Sequence, residues 1–191
     1  ISLLIENNIR PRDILTFEAF ENGIAMANAI GGSTNAVLHL LALAREVGIN
    51  LTLSDFERIR KRTPHIANMR PGGAYVMIDL EKIGGIPVII KMLYERGLFN
   101  GEVMTVTGKT MKENLDHIEA DLSEYTQLVT PVSTPLHVQG TLMVLSGTLA
   151  PKGAVVKIAG LDRPRFRGKA KVFNAEEEAF EAISKGEVTE G

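Results

Sequence analysis

Two short stretches of this chain hold side chains whose types and spacing suit small-molecule chemistry. Gly31-Gly32-Ser33-Thr34-Asn35 sets two glycines ahead of three short polar side chains. Glycines let a ligand approach the backbone, and the free amides of a helix start attract anions. The same five residues also fit a C-cap followed by an N-cap between two helices, so a site and a structural turn both stand at this level. Asn35 is the strongest single candidate, because its amide both donates and accepts. Thr105-Val106-Thr107-Gly108-Lys109-Thr110 ends like a phosphate-binding loop, but the pattern needs a glycine five positions before Gly108, where Val103 stands. What survives is a strand, a glycine turn and Lys109 at a helix start, suited to a carboxylate or phosphate, or an ordinary turn with a solvated lysine. The candidate substrate-binding residues are therefore Ser33, Thr34, Asn35 and Lys109. No catalytic set is complete. His39, His65, His117 and His137 are scattered without the i, i+4 spacing of a helical zinc site. Ser33 has no His and Asp in triad order, and the run Arg58 to Arg62 reads as a solvated helix face.

Helices must position the first stretch. Arg10-Pro11-Arg12-Asp13 predicts a turn, after which Thr16 can cap a helix bearing Phe17, Phe20, Ile24 and Ala27 on one face. Gly31-Gly32 ends it, and a second helix, Ala36 to Val47, is apolar almost all round and so expected to be buried, with His39 a core histidine. Ser54 and Glu57 have the spacing of a capping box. Pro87 suits the first turn of a helix from Ile86 to Arg96, closed by Gly97. A short strand, Val103 to Val106, and a short helix, Lys109 to Leu115, follow. After about residue 118 the period shortens. Strands are expected at Gln127–Val129, Thr141–Leu145, Ala154–Ile158 and Ala170–Phe173, then a helix capped by Asn174 and bearing Ala179, Phe180 and Ile183. The polar stretch Asp116 to Glu124 marks a domain boundary, dividing the chain into 1–118 and 119–191.

Composition narrows the function classes. With 191 residues, 45% hydrophobic and 23% charged, the chain can bury a sizeable core. A net charge of −2, with 7 Phe, 3 Tyr and no Trp, argues against nucleic acid as a partner. The absence of cysteine removes disulfides, thiolate metal ligands and a cysteine nucleophile, and fits a reducing compartment such as the cytoplasm. No apolar run reaches the length of a membrane span. Ile1-Ser2-Leu3-Leu4-Ile5-Glu6 lacks an initiator Met and a basic leader, and reads as a chain entered in mid-sequence.

A resemblance adds what periodicity cannot. Gly31-Gly32-Ser33-Thr34-Asn35-Ala36-Val37-Leu38-His39-Leu40 looks like a hallmark of the dihydroxy-acid dehydratase and phosphogluconate dehydratase family. So do Thr63-Pro64-His65, Met69 to Met77, Ile83-Gly84-Gly85-Ile86-Pro87 and Thr105 to Asn114, followed by Pro135-Leu136-His137 and Gly147 to Lys157, all in the family's order. The wording of Ile83 to Pro87 and Thr105 to Asn114 is similar to the dihydroxy-acid dehydratase branch. Thr148 stands where the family usually has Asn, and Gly140-Thr141 where it has two glycines.

The resemblance implies an α/β class: a helix-rich tail of an α/β domain followed by part of a swivelling β-barrel (β/β/α) domain. It implies an internal fragment of a longer cytoplasmic hydro-lyase, homodimeric when full length. That enzyme would convert 2,3-dihydroxy-3-methyl acids to the 2-oxo acids that precede valine and isoleucine. It implies an iron–sulfur cluster acting on the departing hydroxyl, magnesium, and a serine base for the proton at carbon 2. None of these ligands or bases matches a residue here, so the fragment alone is expected to be inactive, contributing packing, domain positioning and an edge of the cleft. A sugar-acid dehydratase of the same family, acting on phosphogluconate or a pentonate, and a non-catalytic binding module are the alternatives.

Overall fold

Thr16 begins the element around which the rest is built. In the computed structural model, which describes residues 1–119, 122, 125–161, 165 and 167–189, short α1 (Ser2–Glu6) and α2 (Pro11–Ile14) lead into α3 (Phe17–Ala29). The Thr16 hydroxyl accepts from the Ala19 amide at 3.2 Å, satisfying one of the helix's open donors. Phe20, Ile24 and Asn28 are buried four apart, and Ala25 and Ala29 lie beside them. Around α3 pack α4 (Asn35–Glu46), α5 (Leu53–Arg62) and α7 (Ile86–Glu95), while α6 (Met77–Lys82) precedes α7 and α8 (Met111–Leu115) follows it. Phe56, Ile59, Leu80, Ile89 and Leu93 close the core.

An extended run, Thr63 to Met69, threads this core. The Ile66 and Ala67 amides both donate to the Ala29 carbonyl, and the Thr130 amide returns to the Ile66 carbonyl at 2.8 Å. Antiparallel β1 (Leu142–Leu145) and β2 (Ala154–Lys157) pair with Leu142 opposite Lys157, and β1 lies on α5.

These residues form a compact unit, Ile1–Gly160; Leu161–Gly191 form a second. In the second unit α9 (Glu176–Ser184) carries Glu176, Glu177 and Glu178 in its first turn, where they oppose the helix dipole. Mixed helices with one small two-stranded sheet are compatible with an α/β class.

Several local expectations are corrected. Arg10 to Asp13 is not a bare turn but the start of α2, whose Asp13 carboxylate accepts from the Arg10 amide at 2.8 Å. The box that opens α5 is Thr52 with Asp55, two residues earlier than Ser54 with Glu57. Glu57 is unavailable to Ser54 because it binds Arg60 and the Val144 amide. Helix α4 is not buried: Val37 and Ala44 are covered, whereas Leu38, His39 and Leu43 are exposed, since α4 touches α3 along one side only. Arg60 is no solvated residue but 3% exposed.

The runs Val103–Val106 and Gln127–Val129 reduce to single bridges, Met104 to Thr110 and Ala67 to Val129. Ala170–Phe173 forms no strand, and α9 follows Ala175 rather than Asn174 and leaves Phe180 and Ile183 exposed. Among the described residues only β1 and β2 pair along several positions. Of the stretch Asp116 to Glu124, residues 120, 121, 123 and 124 lie outside the described residues.

Candidate functional site

The glycine turn after α3 is shaped by packing before any ligand is considered. Gly31 takes a left-handed φ of +67°, which a β-carbon disfavours, and the Gly32 amide closes on the Ala27 carbonyl at 2.7 Å. A β-carbon on Gly31 would lie 2.9 Å from His65 Nε2, and one on Gly32 2.9 Å from the Ala27 oxygen. Both glycines are therefore required by the fold. Beyond them the Ser33 hydroxyl accepts from the Asn35 amide at 3.2 Å, and α4 starts.

A cleft of about 520 Å³ opens beside this turn. Ile30 to Thr34, Met69 to Pro71, Tyr75 to Met77 and Lys157 line it. Of the predicted residues, Ser33 and Thr34 line the cleft. Asn35 is exposed at the first position of α4 and is not among the described lining residues.

Lys109 lies elsewhere, exposed in a self-contained turn. There the Thr105 amide donates to the Lys109 carbonyl at 2.9 Å, the Thr105 hydroxyl accepts from Asn114 Nδ2 at 2.8 Å, and the Thr107 hydroxyl donates to Asn114 Oδ1 at 2.9 Å. The amides of Thr107 and Lys109 also turn inward, onto the Thr105 and Thr107 hydroxyls. A phosphate loop needs such amides free, and here they are used.

The cleft's charge comes from residues that motif reasoning passes over. Lys157 Nζ donates to the Gly31 carbonyl at 2.6 Å, and desolvation lowers its pKa below the usual lysine value. Arg70 Nε donates to the Ala74 carbonyl at 3.2 Å. Among the described residues no Asp or Glu lines the cleft. Behind Gly31 sits His65, 6% exposed, with neither ring nitrogen hydrogen-bonded among the described residues. Its ring stacks on His137 at 5.3 Å and 9°, and the two residues bridge through their backbones. Burial first, then the His137 and Lys157 charges, lower the His65 pKa to about 4, so the ring is neutral near pH 7.

Lys157 had a readable signal. In a strand, residues two apart share a face, and Val155, two before it, packs on the core. A lysine on the inward face of a strand is unusual enough to mark.

The donor set does not suit a metal centre. The sequence offers no thiolate, and the described residues bring no three His, Asp or Glu side chains together.

The structure thus sets a cation-bearing cleft beside a glycine turn in a mixed helix-and-strand fold. Comparison with known proteins specifies it further. The model of the dihydroxy-acid/6-phosphogluconate dehydratase N-terminal domain matches residues 1–114, and that of the C-terminal domain matches 127–191. The chain belongs to this family. It is 55% identical to a dihydroxy-acid dehydratase of Saccharolobus islandicus over 98% of its own length and 34% of the relative's. Against the dihydroxy-acid dehydratase of Sulfolobus acidocaldarius it is 53% identical over 100% of its length and 34% of the relative's. The chain thus spans about a third of these curated relatives. No helix among the described residues is long and apolar enough to cross a membrane.

Proposed function

We propose that this chain is part of a dihydroxy-acid dehydratase, a hydro-lyase that removes water from 2,3-dihydroxy-3-methyl acids to give 2-oxo acids. The observation that carries the reading is 53–55% identity to proteins of that name across essentially the whole chain. In such a reaction the carbon 2 proton and the carbon 3 hydroxyl leave as water, and the resulting enol tautomerises to the 2-oxo acid. The iron–sulfur and magnesium chemistry that the family resemblance implies finds no ligand set in these residues. Their part is to bind and orient, with Ser33 and Thr34 at the cleft edge and Asn35 at the adjoining helix start.

The apolar residues lining the cleft, Ile30, Met69, Val76 and Met77, support a short alkyl acid over a polyhydroxylated sugar acid, which would leave hydroxyls unpaired against them. The domain boundary is proposed to fall in residues 115–126, between the two family matches. The residues after it would begin a swivelling barrel domain in a homodimeric, cytoplasmic enzyme.

The test is an anaerobic assay of the full-length protein carrying this segment, with 2,3-dihydroxy-3-methylbutanoate and 6-phosphogluconate in parallel. Formation of the branched 2-oxo acid at least tenfold faster than the sugar-acid product is expected. The reverse preference would move the protein to the sugar-acid branch, and turnover of neither would overturn the assignment.

A further inference from the structure

We propose that Lys157 is the residue that receives the carboxylate of a small branched hydroxy or oxo acid in this cleft, with the apolar side chains that line the same cleft accepting the alkyl end. The proposal rests on the dehydratase reading for the identity of the acid, but its physical basis is separate. Among the described residues the other buried or half-buried Lys and Arg side chains are matched by an acid: Arg60 by Glu57 at 2.7 Å, Lys91 by Glu95 at 3.7 Å. Lys157 is half-buried, has no ion-pair partner among the described residues, and gives one hydrogen bond to the Gly31 carbonyl. A lysine ammonium has three donors. A desolvated cation without a counter-ion is costly unless one arrives, and the depressed pKa of Lys157 registers that cost.

The surroundings select which anion. Arg70 adds a second positive residue to the lining, and no carboxylate among the described lining residues competes. Ser33 and Thr34 bring hydroxyl-bearing residues to the cleft, while Ile30, Met69, Val76 and Met77 offer apolar contact. A lysine ammonium, hydroxyl-bearing residues and apolar side chains lining one cleft suit a short branched hydroxy acid. Inorganic phosphate would leave the apolar residues unused.

The experiment is calorimetric titration of the full-length protein with 2-hydroxy-3-methylbutanoate and with its uncharged amide. Lys157→Gln keeps a donor for the Gly31 carbonyl without the charge, and Lys157→Arg keeps the charge. The acid is expected to bind about tenfold or more weaker to the Gln variant and within about threefold of the parent for Arg, since bonds to charged groups exceed neutral ones. Affinity for the amide should change little in either variant. Equal losses for acid and amide would make Lys157 a purely structural support, and unchanged acid binding in Lys157→Gln would remove it from the site; both outcomes overturn the proposal. If Lys157→Gln unfolds, the acid-to-amide preference of Lys157→Arg against the parent is read instead, and its absence in the parent is equally fatal. Should the protein dehydrate no dihydroxy acid yet bind the branched acid through Lys157, the dehydratase reading fails and this one stands. Turnover with kcat/KM unaffected by Lys157→Gln does the reverse: the dehydratase reading stands and the role of Lys157 falls.

Discussion

Two regions bordering the threaded run Thr63 to Met69 treat buried polarity in different ways. Around Arg60 and Asn28 the charged and amide side chains are matched, and among the described residues there only the Thr63 and Thr141 hydroxyls lack a partner. Arg60 holds Glu57 through two nitrogens and reaches the Gln139 side chain at 3.0 Å. Asn28 donates to the Ile24 carbonyl and accepts from the Leu142 amide at 3.0 Å. Around Gly31, His65 and Lys157 are desolvated without a compensating acid, and the His65 ring nitrogens have no hydrogen bond among the described residues. The first arrangement holds the chain together. The second gives up stability, which is the pattern expected where a fold keeps room for a ligand.

The comparison breaks most visibly at Arg60. Arg60→Met should cost about 3 kcal/mol, because Glu57 loses two charge-assisted bonds and keeps as a cation only the exposed Lys61 at 3.7 Å, while Gln139 loses its donor. Urea unfolding would show it as a lower midpoint at unchanged slope. A loss below about 1 kcal/mol would mean that the matched region is no stronger than an exposed ion pair.

Acid should probe the other region. A histidine whose folded pKa lies below its unfolded value favours the unfolded chain when protonated. Stability is thus complete above about pH 6.5 and lost as pH falls toward about 4. The full shift corresponds to roughly 3 kcal/mol, reached only once both states are protonated. His65→Gln should flatten this limb in melting temperature measured against pH, while an unchanged limb would assign it to other groups.

The smallest effect separates wasted polarity from used polarity. Thr141 is fully buried, and its hydroxyl has no partner among the described residues. Thr141→Val keeps the shape and removes the unpaired group, so stability should stay level or rise by up to about 1 kcal/mol. A clear loss in a thermal melt would reveal a hydrogen bond at Thr141.

Much of the matched region was legible in the sequence, and little of the cleft was. Thr16, Pro87 and Gly97 act locally, so their caps and stops follow from spacing alone. Thr52 and Ser54 both have the spacing to head a box, and the choice between them turns on Glu57 being claimed by Arg60 and by Val144, which lies 87 residues away. Helix α4 looks buried by composition, but Leu38 is 68% exposed because one neighbour covers one side. In the glycine turn, Ser33 and Thr34 were recognisable by type, whereas Lys157 enters from a residue 126 positions later. Residue type announces the turn; only tertiary closure supplies its charge.

The Asn28 to Leu142 bond spans 114 residues, which sets an order of events during synthesis. A ribosome adding about 5–20 residues per second leaves several seconds between the two emerging. Throughout that interval α3 can coil and gather its apolar stripe, but Asn28 must keep water as its partner and the Gly31 carbonyl must wait for Lys157. Completion of the N-terminal core is thereby timed by the arrival of the β1–β2 hairpin, and translation speed between Ile30 and Lys157 becomes a determinant of how long a half-closed core is exposed to chaperones and proteases.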